Sequence, residues 1–216
     1  MRAFLSLPVL MLVALVSVPT QAKEKVKPAL ETVTCDGVFG YKSSEALLIE
    51  TYGKDNVVTG MVPGAEGEES LGTTVFPDDP DRRMVFGWWD EENRSYLSYV
   101  DLAPAQITPA GARVGMSVAE IEAINGAPFT IGGFWWDYGG YANFDGGNLA
   151  YPDSGCGFGI RFDITADIPT GVDATSIAGE VTLPSAEPLL TQLEAHVVSI
   201  TLGYPYPDEL PQTDSD

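Results

Sequence analysis

Positively charged side chains are scarce in this sequence. Its 216 residues include 11 Lys and Arg against 31 Asp and Glu, so the formal net charge at pH 7 is −20. Binding to nucleic acid or to anionic lipid depends on Lys and Arg that neutralise phosphate groups. We therefore expect neither nucleic acid nor an anionic membrane surface as a partner, and we interpret the acidic surface as a source of solubility.

Histidine occurs once, as His196 at the edge of an apolar strand. A Ser–His–acid triad would have to use this residue, but the G-x-S-x-G turn that presents a nucleophilic serine is missing. The phosphate-binding loop G-x-x-x-x-G-K-[ST] is missing as well. We therefore expect His196 to be structural or on the surface, and we predict no cofactor.

Metal ligands are also few, because two Cys and one His cannot complete a four-ligand zinc site. Oxygen ligands suited to calcium occur in two clusters: Asp78, Asp79 and Asp81, and Asn143, Asp145 and Asn148. Neither cluster has the full spacing of a calcium loop or the bidentate Glu that closes it. Turns need the same residue types, so we predict two solvated turns and no metal site.

Long apolar runs are missing after the N-terminus. Residues 1–22 have the pattern of a secretory signal peptide, with Arg2, an apolar run over Leu7–Val18, and Ala22 at the cleavage site. The run is shorter than the roughly 20 residues that a membrane-spanning helix needs, and a buried helix is the alternative. Because no Cys follows it directly, we expect no lipid anchor. We predict a soluble, periplasmic or secreted protein.

Cysteine occurs only at positions 35 and 156. In an exported chain two cysteines most often pair, so we predict a Cys35–Cys156 disulfide, with two buried free thiols as the alternative. Such a bridge would stabilise the fold by roughly 4–5 kcal/mol in the chain-entropy model, and often by less in practice.

Composition divides the chain after residue 22 into three parts. Residues 23–34 are charged and lack periodicity, which is typical of a flexible leader. Residues 35–205 carry the apolar patterns of a single domain. Residues 206–216 are acidic and contain proline, so we predict a disordered tail.

The strongest helix signature begins at Ser117, which forms a capping box with Glu120. Gly126 then ends this helix. A second helix is predicted over residues 43–53, and a third, short one within residues 185–196. Runs of alternating apolar residues between the helices predict strands, so the expected fold class is α+β, with short helices packed on antiparallel sheet.

All four tryptophans occur in two similar segments, Phe86–Asp90 and Phe134–Asp137. Each segment follows a predicted helix and a glycine. We therefore hypothesise that the domain consists of two loosely similar halves, residues 35–108 and 109–205.

Strand alternation assigns these aromatic residues to opposite faces. The more aromatic face, which we predict to be core, consists of Met84, Phe86, Trp88, Phe134, Trp136 and Tyr138. The other face presents Trp89, Trp135 and Asp137, and exposed aromatic patches usually mean binding. A second layer of structure is the alternative, and we expect it to cover at least one of these two tryptophans.

The segment Val114–Tyr141 resembles the repeat of small bacterial envelope proteins of the BamE/SmpA and beta-lactamase-inhibitor-protein type. The resemblance is carried by Gly115-Met116-Ser117, Glu120-Ile121, Gly126, Pro128 and Trp136-Asp137-Tyr138. It implies helix pairs packed on antiparallel sheet and a role in binding proteins rather than in chemistry. BamE-like proteins are usually lipid-anchored, whereas this chain lacks a lipidation cysteine. The whole chain is also similar to uncharacterised exported bacterial proteins that share its FPDDP and FxWDYGG signatures.

These patterns favour an exported, acidic, non-enzymatic module that binds a protein of the bacterial envelope. The alternative is a carbohydrate-binding protein, or a glycoside hydrolase that uses Asp137 with Asp145 or Asp90. Sugars stack on aromatic faces, and glycosidases need two carboxylates about 5–10 Å apart. The hydrolase hypothesis predicts a deep cleft lined by Trp135. The oligomeric state stays open.

Overall fold

A computed structural model describes residues 28–63, 68–150 and 156–211. The predicted signal peptide and the first residues of the predicted leader lie outside the described residues, as do the last residues of the predicted tail. Within the described ranges, no helix is both long enough and apolar enough to cross a membrane.

The described part of the chain contains three short α-helices. They are α1 (Glu45–Tyr52), α2 (Val118–Asn125) and α3 (Pro188–Gln192). The predicted capping box is confirmed, since the Ser117 side chain accepts from the Glu120 N–H while the Glu120 carboxylate accepts from the Ser117 N–H. Gly126 ends α2 in the left-handed region, with a φ of 72°.

The strands of the described residues form two antiparallel sheets and one short parallel pair. They are β1 (Glu31–Thr32), β2 (Val57–Pro63), β3 (Glu69–Val75), β4 (Met84–Asp90), β5 (Ser95–Asp101), β6 (Gln106–Ile107), β7 (Thr130–Gly132), β8 (Ala142–Asn143), β9 (Gly157–Asp163), β10 (Thr182–Pro184) and β11 (His196–Gly203). The large sheet has the order β2-β3-β4-β5-β11-β9, the small sheet has the order β10-β7-β8, and β1 pairs with β6. The fold class is therefore α+β, as predicted.

The large sheet combines both of the predicted halves. Strands β2 to β5 come from residues 35–108, whereas β9 and β11 come from residues 109–205, and β11 pairs directly with β5. Side chains from both segments, among them Phe86 and Ile160, belong to one buried apolar cluster. The two segments therefore share one core.

The largely buried carboxylate of Glu45 fixes α1 to the large sheet. Glu45 accepts hydrogen bonds from the hydroxyls of Thr59 in β2 and Thr73 in β3, at 2.6 and 2.8 Å. Its other oxygen accepts from Arg94 Nε at 2.8 Å. The Thr73 hydroxyl in turn accepts from the indole N–H of Trp88 in β4, at 3.0 Å. One side chain thus ties the helix to neighbouring strands and to the turn before β5.

The pKa of Glu45 lies below its ordinary value of 4.5. Burial alone would raise this pKa, but the hydrogen bonds from Thr59, Thr73 and Arg94, with the charge of Arg94, outweigh it. Because the folded pKa is lowered, the stability that this group contributes is complete above the unfolded pKa. It is lost as pH falls through the folded pKa.

The predicted disulfide is confirmed between Cys35 and Cys156, whose Cα atoms are 6.1 Å apart. It links positions 121 residues apart in the sequence, so it restricts the unfolded chain strongly. A disulfide is compatible with an oxidising compartment.

The predicted flexible leader is wrong at its C-terminal end. Strand β1 pairs with β6 in parallel, and the Val33 side chain is completely buried in the core. Gln106 also donates a hydrogen bond to the Glu31 carboxylate at 3.2 Å. These residues are ordered because β6 offers an unpaired edge and the core offers a site for Val33.

Replacing Glu45 by Gln should lower the free energy of unfolding by about 1–3 kcal/mol, because an amide cannot accept all the hydrogen bonds that the carboxylate accepts. Urea unfolding at pH 7 measures this loss. Glu50→Gln, at an exposed position of the same helix, is the matched control, and it should change stability by less than about 0.5 kcal/mol. Below pH 4.5, the free energy of unfolding of the variant should also depend less on pH than that of the wild type does. Equal acid sensitivity of the two would contradict the assignment.

Candidate functional site

The segment GGFWWDYGG, residues 132–140, leaves the strand conformation after Gly132. Residues 133–141, here called the aromatic turn, connect β7 to β8 and reverse the chain. The predicted alternation therefore fails here, because Tyr138 is 55% exposed rather than buried in the core. In β4, by contrast, the predicted core residues Met84, Phe86 and Trp88 are all buried. Burial does not alternate along this strand, however, because Val85 and Gly87 between them are buried as well.

One side of the aromatic turn is held by residues 177–181. The Gly133 N–H donates to the Val181 carbonyl at 2.7 Å. The Phe134 N–H donates to the Ile177 carbonyl at 2.8 Å, and the Phe134 carbonyl accepts from the Gly179 N–H at 2.9 Å. Because the Phe134 ring is also only 1% exposed, this residue anchors the turn in the core.

The other side of the aromatic turn is held by β9. The Phe162 N–H donates to the Gly140 carbonyl at 2.8 Å, and Arg161 Nε donates to the Gly139 carbonyl at 2.9 Å. Both glycines are needed for this close approach. A Cβ atom on Gly139 would lie 2.6 Å from the Gly133 carbonyl oxygen, and Gly140 has a φ of 80°. The second glycine pair therefore allows two backbone segments to touch.

Three large aromatic side chains project from this rigid backbone. Trp135 is 48% exposed, Tyr138 is 55% exposed and Tyr141 is 49% exposed. Trp136 is half-buried and donates its indole N–H to the Gly133 carbonyl at 3.0 Å, so it supports the turn from inside. Its ring meets that of Tyr138 edge-on, with 5.6 Å between the centroids. The exposed rings are thus presented by a backbone that is already ordered.

Trp135 adopts a backbone conformation that is unfavourable for a bulky residue. Its φ is 62°, in the left-handed region, which costs a non-glycine residue on the order of 1–3 kcal/mol. The hydrogen bonds on both sides of Phe134 and the fixed indole of Trp136 enforce this conformation. Strained residues that the surroundings hold in place cluster at functional sites. Of the predicted binding residues, Trp135 therefore has the strongest structural support.

The carboxylates predicted for a hydrolase lack the buried surroundings of a general acid. Asp137 and Asp145 are both exposed, and Asp145 accepts a hydrogen bond from Asn143. Asp90 ends β4, in the large sheet, where it caps the hairpin by accepting from Asn93 and Ser95. The hydrogen bonds from Asn93 are the main reason why the pKa of Asp90 is lowered, whereas a general acid needs a raised pKa. This geometry gives the hydrolase hypothesis no support.

Trp89 does not share a sheet with Trp135. It lies in β4 of the large sheet and is half-buried. Its indole N–H donates to the Tyr204 carbonyl at 3.2 Å, and the Tyr206 ring meets it edge-on at 5.2 Å between centroids. The expected cover over one of the two tryptophans is therefore found at Trp89, and Asp137 and Trp135 remain together on the aromatic turn.

The cover over Trp89 is a C-terminal strap, residues 204–211. Glu209 accepts a hydrogen bond from the Tyr41 hydroxyl at 3.1 Å and lies 3.5 Å from the ammonium group of Lys42. Burial, followed by the nearby Glu209 carboxylate, raises the pKa of Tyr41 to about 12. The prediction of a disordered tail is therefore wrong for residues 206–211, because tyrosine and glutamate side chains of this segment find specific partners.

His196 lines a cleft of about 410 Å³ between α2 and α3. Its Nδ1 atom lies 2.9 Å from the Glu194 carbonyl, while the nearby Ser117 hydroxyl donates to Glu120 as part of the helix cap. Ser117 is therefore committed to the cap and is not arranged as a nucleophile. In the described part of the chain, no group of three or more His, Cys, Asp or Glu residues is placed to hold a metal ion.

Sequence reasoning missed Tyr141 and Arg161 as members of the candidate site. The guanidinium carbon of Arg161 lies 5.4 Å from the centre of the Tyr141 ring, and residues 141 and 161 form an isolated antiparallel bridge. The signal that could have found Tyr138 and Tyr141 is the second glycine pair. If this glycine pair is interpreted as a turn rather than as the end of a strand, the two tyrosines that flank it are expected near the surface.

The chain matches no protein-family model, and neither a curated protein nor a solved structure matches it.

Replacing Tyr206 by Ala should expose Trp89, because the edge-on ring is lost. We expect the tryptophan emission to shift to longer wavelength and iodide to quench it more strongly, with a loss of about 0.5–1.5 kcal/mol in stability. Tyr206→Phe is the matched control, since it keeps the ring and loses only the hydroxyl that donates to Pro211. The fluorescence change should disappear when Trp89→Phe is also present. A change that persists would mean that the strap does not cover Trp89.

Proposed function

We propose that this protein is a non-enzymatic protein-interaction module whose binding surface is the aromatic turn. The observation that carries the proposal is the half-exposure of Trp135, Tyr138 and Tyr141 on a backbone held by hydrogen bonds from both sides. Contiguous exposed aromatic side chains on a folded protein mark interaction sites.

Composition favours a protein as the partner. Residues that dominate the binding energy of protein interfaces are enriched in Trp, Tyr and Arg. The aromatic turn brings these three types together, because Arg161 packs against Tyr141 at its edge. Tyrosine and tryptophan also provide a large contact area with few rotatable bonds, so little side-chain entropy is lost on binding.

Rigidity favours the same function. A mobile loop loses conformational entropy when it binds, which lowers the affinity. Here the backbone of Phe134 and Gly140 is already hydrogen-bonded in the isolated chain. The strained φ of Trp135 is part of this arrangement, since the fold holds the ring outward despite the local cost.

The proposed setting is the bacterial envelope, outside the cytoplasm. Residues 1–22 have the pattern of a signal peptide, and the Cys35–Cys156 disulfide is compatible with an oxidising compartment. The similarity of Val114–Tyr141 to the repeat of BamE/SmpA and beta-lactamase-inhibitor proteins supports both the setting and a role in binding proteins.

Replacing Trp135 by Gly should weaken binding strongly while leaving the fold intact. Glycine adopts a positive φ without strain, which offsets the contacts that the half-exposed ring loses. Residues 23–216 of the wild type and of the variant are used to capture partners from an envelope extract, followed by mass spectrometry. We expect one specific protein to be retained at least about tenfold less by the variant, since truncating a central interface residue costs roughly 2 kcal/mol or more.

Trp89→Phe is the control for this experiment, because Trp89 lies under the strap and away from the aromatic turn. It should capture the same protein as the wild type. Thermal unfolding of both variants establishes that they fold. Capture that does not depend on Trp135, or capture of polysaccharide alone, would contradict the proposed function.

A further inference from the structure

We infer that the partner segment that docks on the aromatic turn is cationic, namely a stretch of protein chain that carries Lys or Arg. This inference rests on the proposed function and specifies its partner. Two exposed carboxylates belong to the aromatic turn and to the segment that holds it. Asp137 lies within the turn between Trp135 and Tyr138, and Glu180 lies between Gly179 and Val181, whose backbones hydrogen-bond to Phe134 and Gly133.

Neither carboxylate has a cationic partner within the chain segments that the structure describes. The ion pairs found there join Arg94 to Glu45 and Lys42 to Glu209, and both lie in other parts of the fold. An interface that covered Asp137 and Glu180 with apolar or anionic groups would leave two carboxylates desolvated and unpaired, which is strongly unfavourable. A cationic partner would pair them.

Arg161 is a cation that already contacts the aromatic turn. Its Nε is committed to the Gly139 carbonyl, and its guanidinium group lies over Tyr141 at the edge of the turn. The Tyr141 ring thus already accepts a guanidinium group. Trp135 and Asp137 lie beyond it in the turn, and tryptophan is the aromatic residue that attracts cations most strongly.

The charge of the whole chain acts in the same direction. With 31 acidic and 11 basic residues, the protein attracts cationic surfaces over long range and repels anionic ones. Long-range attraction alone does not select a site, however. The local combination of an outward tryptophan with two carboxylates that lack an ion-pair partner among the described residues gives a cationic segment a reason to bind at the aromatic turn.

The probe for this inference is a nine-residue peptide of alternating Ser and Arg, compared with the same peptide carrying neutral citrulline in place of Arg. Binding to residues 23–216 is measured by calorimetry at low salt and at physiological salt. We expect the Arg peptide to bind at least roughly tenfold more tightly than the citrulline peptide, with an affinity that falls as salt increases.

The variants locate the binding site. Trp135→Gly and Asp137→Asn should each lower the affinity for the Arg peptide by roughly fivefold to thirtyfold. Asp55→Asn changes the net charge equally, but it lies next to β2, at the opposite edge of the large sheet from β9. This control should weaken binding less than about twofold, because screened surface charges interact little over such distances.

Two results with the peptides would overturn the inference. One is equal binding of the Arg and citrulline peptides, and the other is equal weakening by Asp55→Asn and Asp137→Asn, which would mean that overall acidity alone attracts the peptide. If capture from the envelope extract still depends on Trp135 in either case, the proposed function stands and only the cationic partner is wrong. If neither capture from the extract nor binding of the Arg peptide depends on Trp135, both the proposed function and the cationic partner are wrong. Binding of chitotetraose that is lost in Trp135→Gly would identify a saccharide surface and would also overturn the inference.

Discussion

The hydrogen bonds of Gly140 are the constraint on which the candidate site depends, because they join the two sheets at the aromatic turn. The Gly140 N–H donates to the carbonyl of Gly132 in β7 of the small sheet, at 3.0 Å. Its carbonyl accepts from Phe162 in β9 of the large sheet, at 2.8 Å. A side chain at this position would overlap the β9 backbone. The second glycine pair thus determines where the turn lies, and the turn determines which aromatic rings face outward.

Two similar aromatic segments have different structures in this protein, and long-range contacts decide between them. In β4 the segment pairs with strands on both sides, so that Trp88 enters the core and reaches the Glu45 network through Thr73. In the aromatic turn, flanking glycines let residues 177–181 and β9 approach from both sides, and Trp135 is forced outward. The same residue types therefore stabilise the core in one place and form a candidate binding surface in the other.

Features that depend on interactions between near neighbours in the sequence could be predicted, whereas features that depend on distant partners could not. The caps of α2 and the burial of Met84, Phe86 and Trp88 follow from patterns within a few residues, and both are confirmed. Three other features depend on partners far away in the chain or outside the segment itself: the exposure of Tyr138, the pairing of Glu31–Thr32 and the docking of Tyr206. The residues of a single segment do not identify such partners, so their pattern predicts a strand where there is a turn and disorder where there are contacts. The disulfide was predictable because the chain has only two cysteines.

Hydrogen exchange of residues 23–216, free and bound to a captured partner, tests the central claim most directly, namely that the aromatic turn is an ordered binding surface. The amides of Phe134 and Gly140 should already be protected in the free protein, since both are hydrogen-bonded. On binding, additional protection should be confined to residues 133–141 and the adjoining residues 177–181. Rapid exchange of Phe134 and Gly140 in the free protein, or new protection around Trp89 instead, would contradict this account.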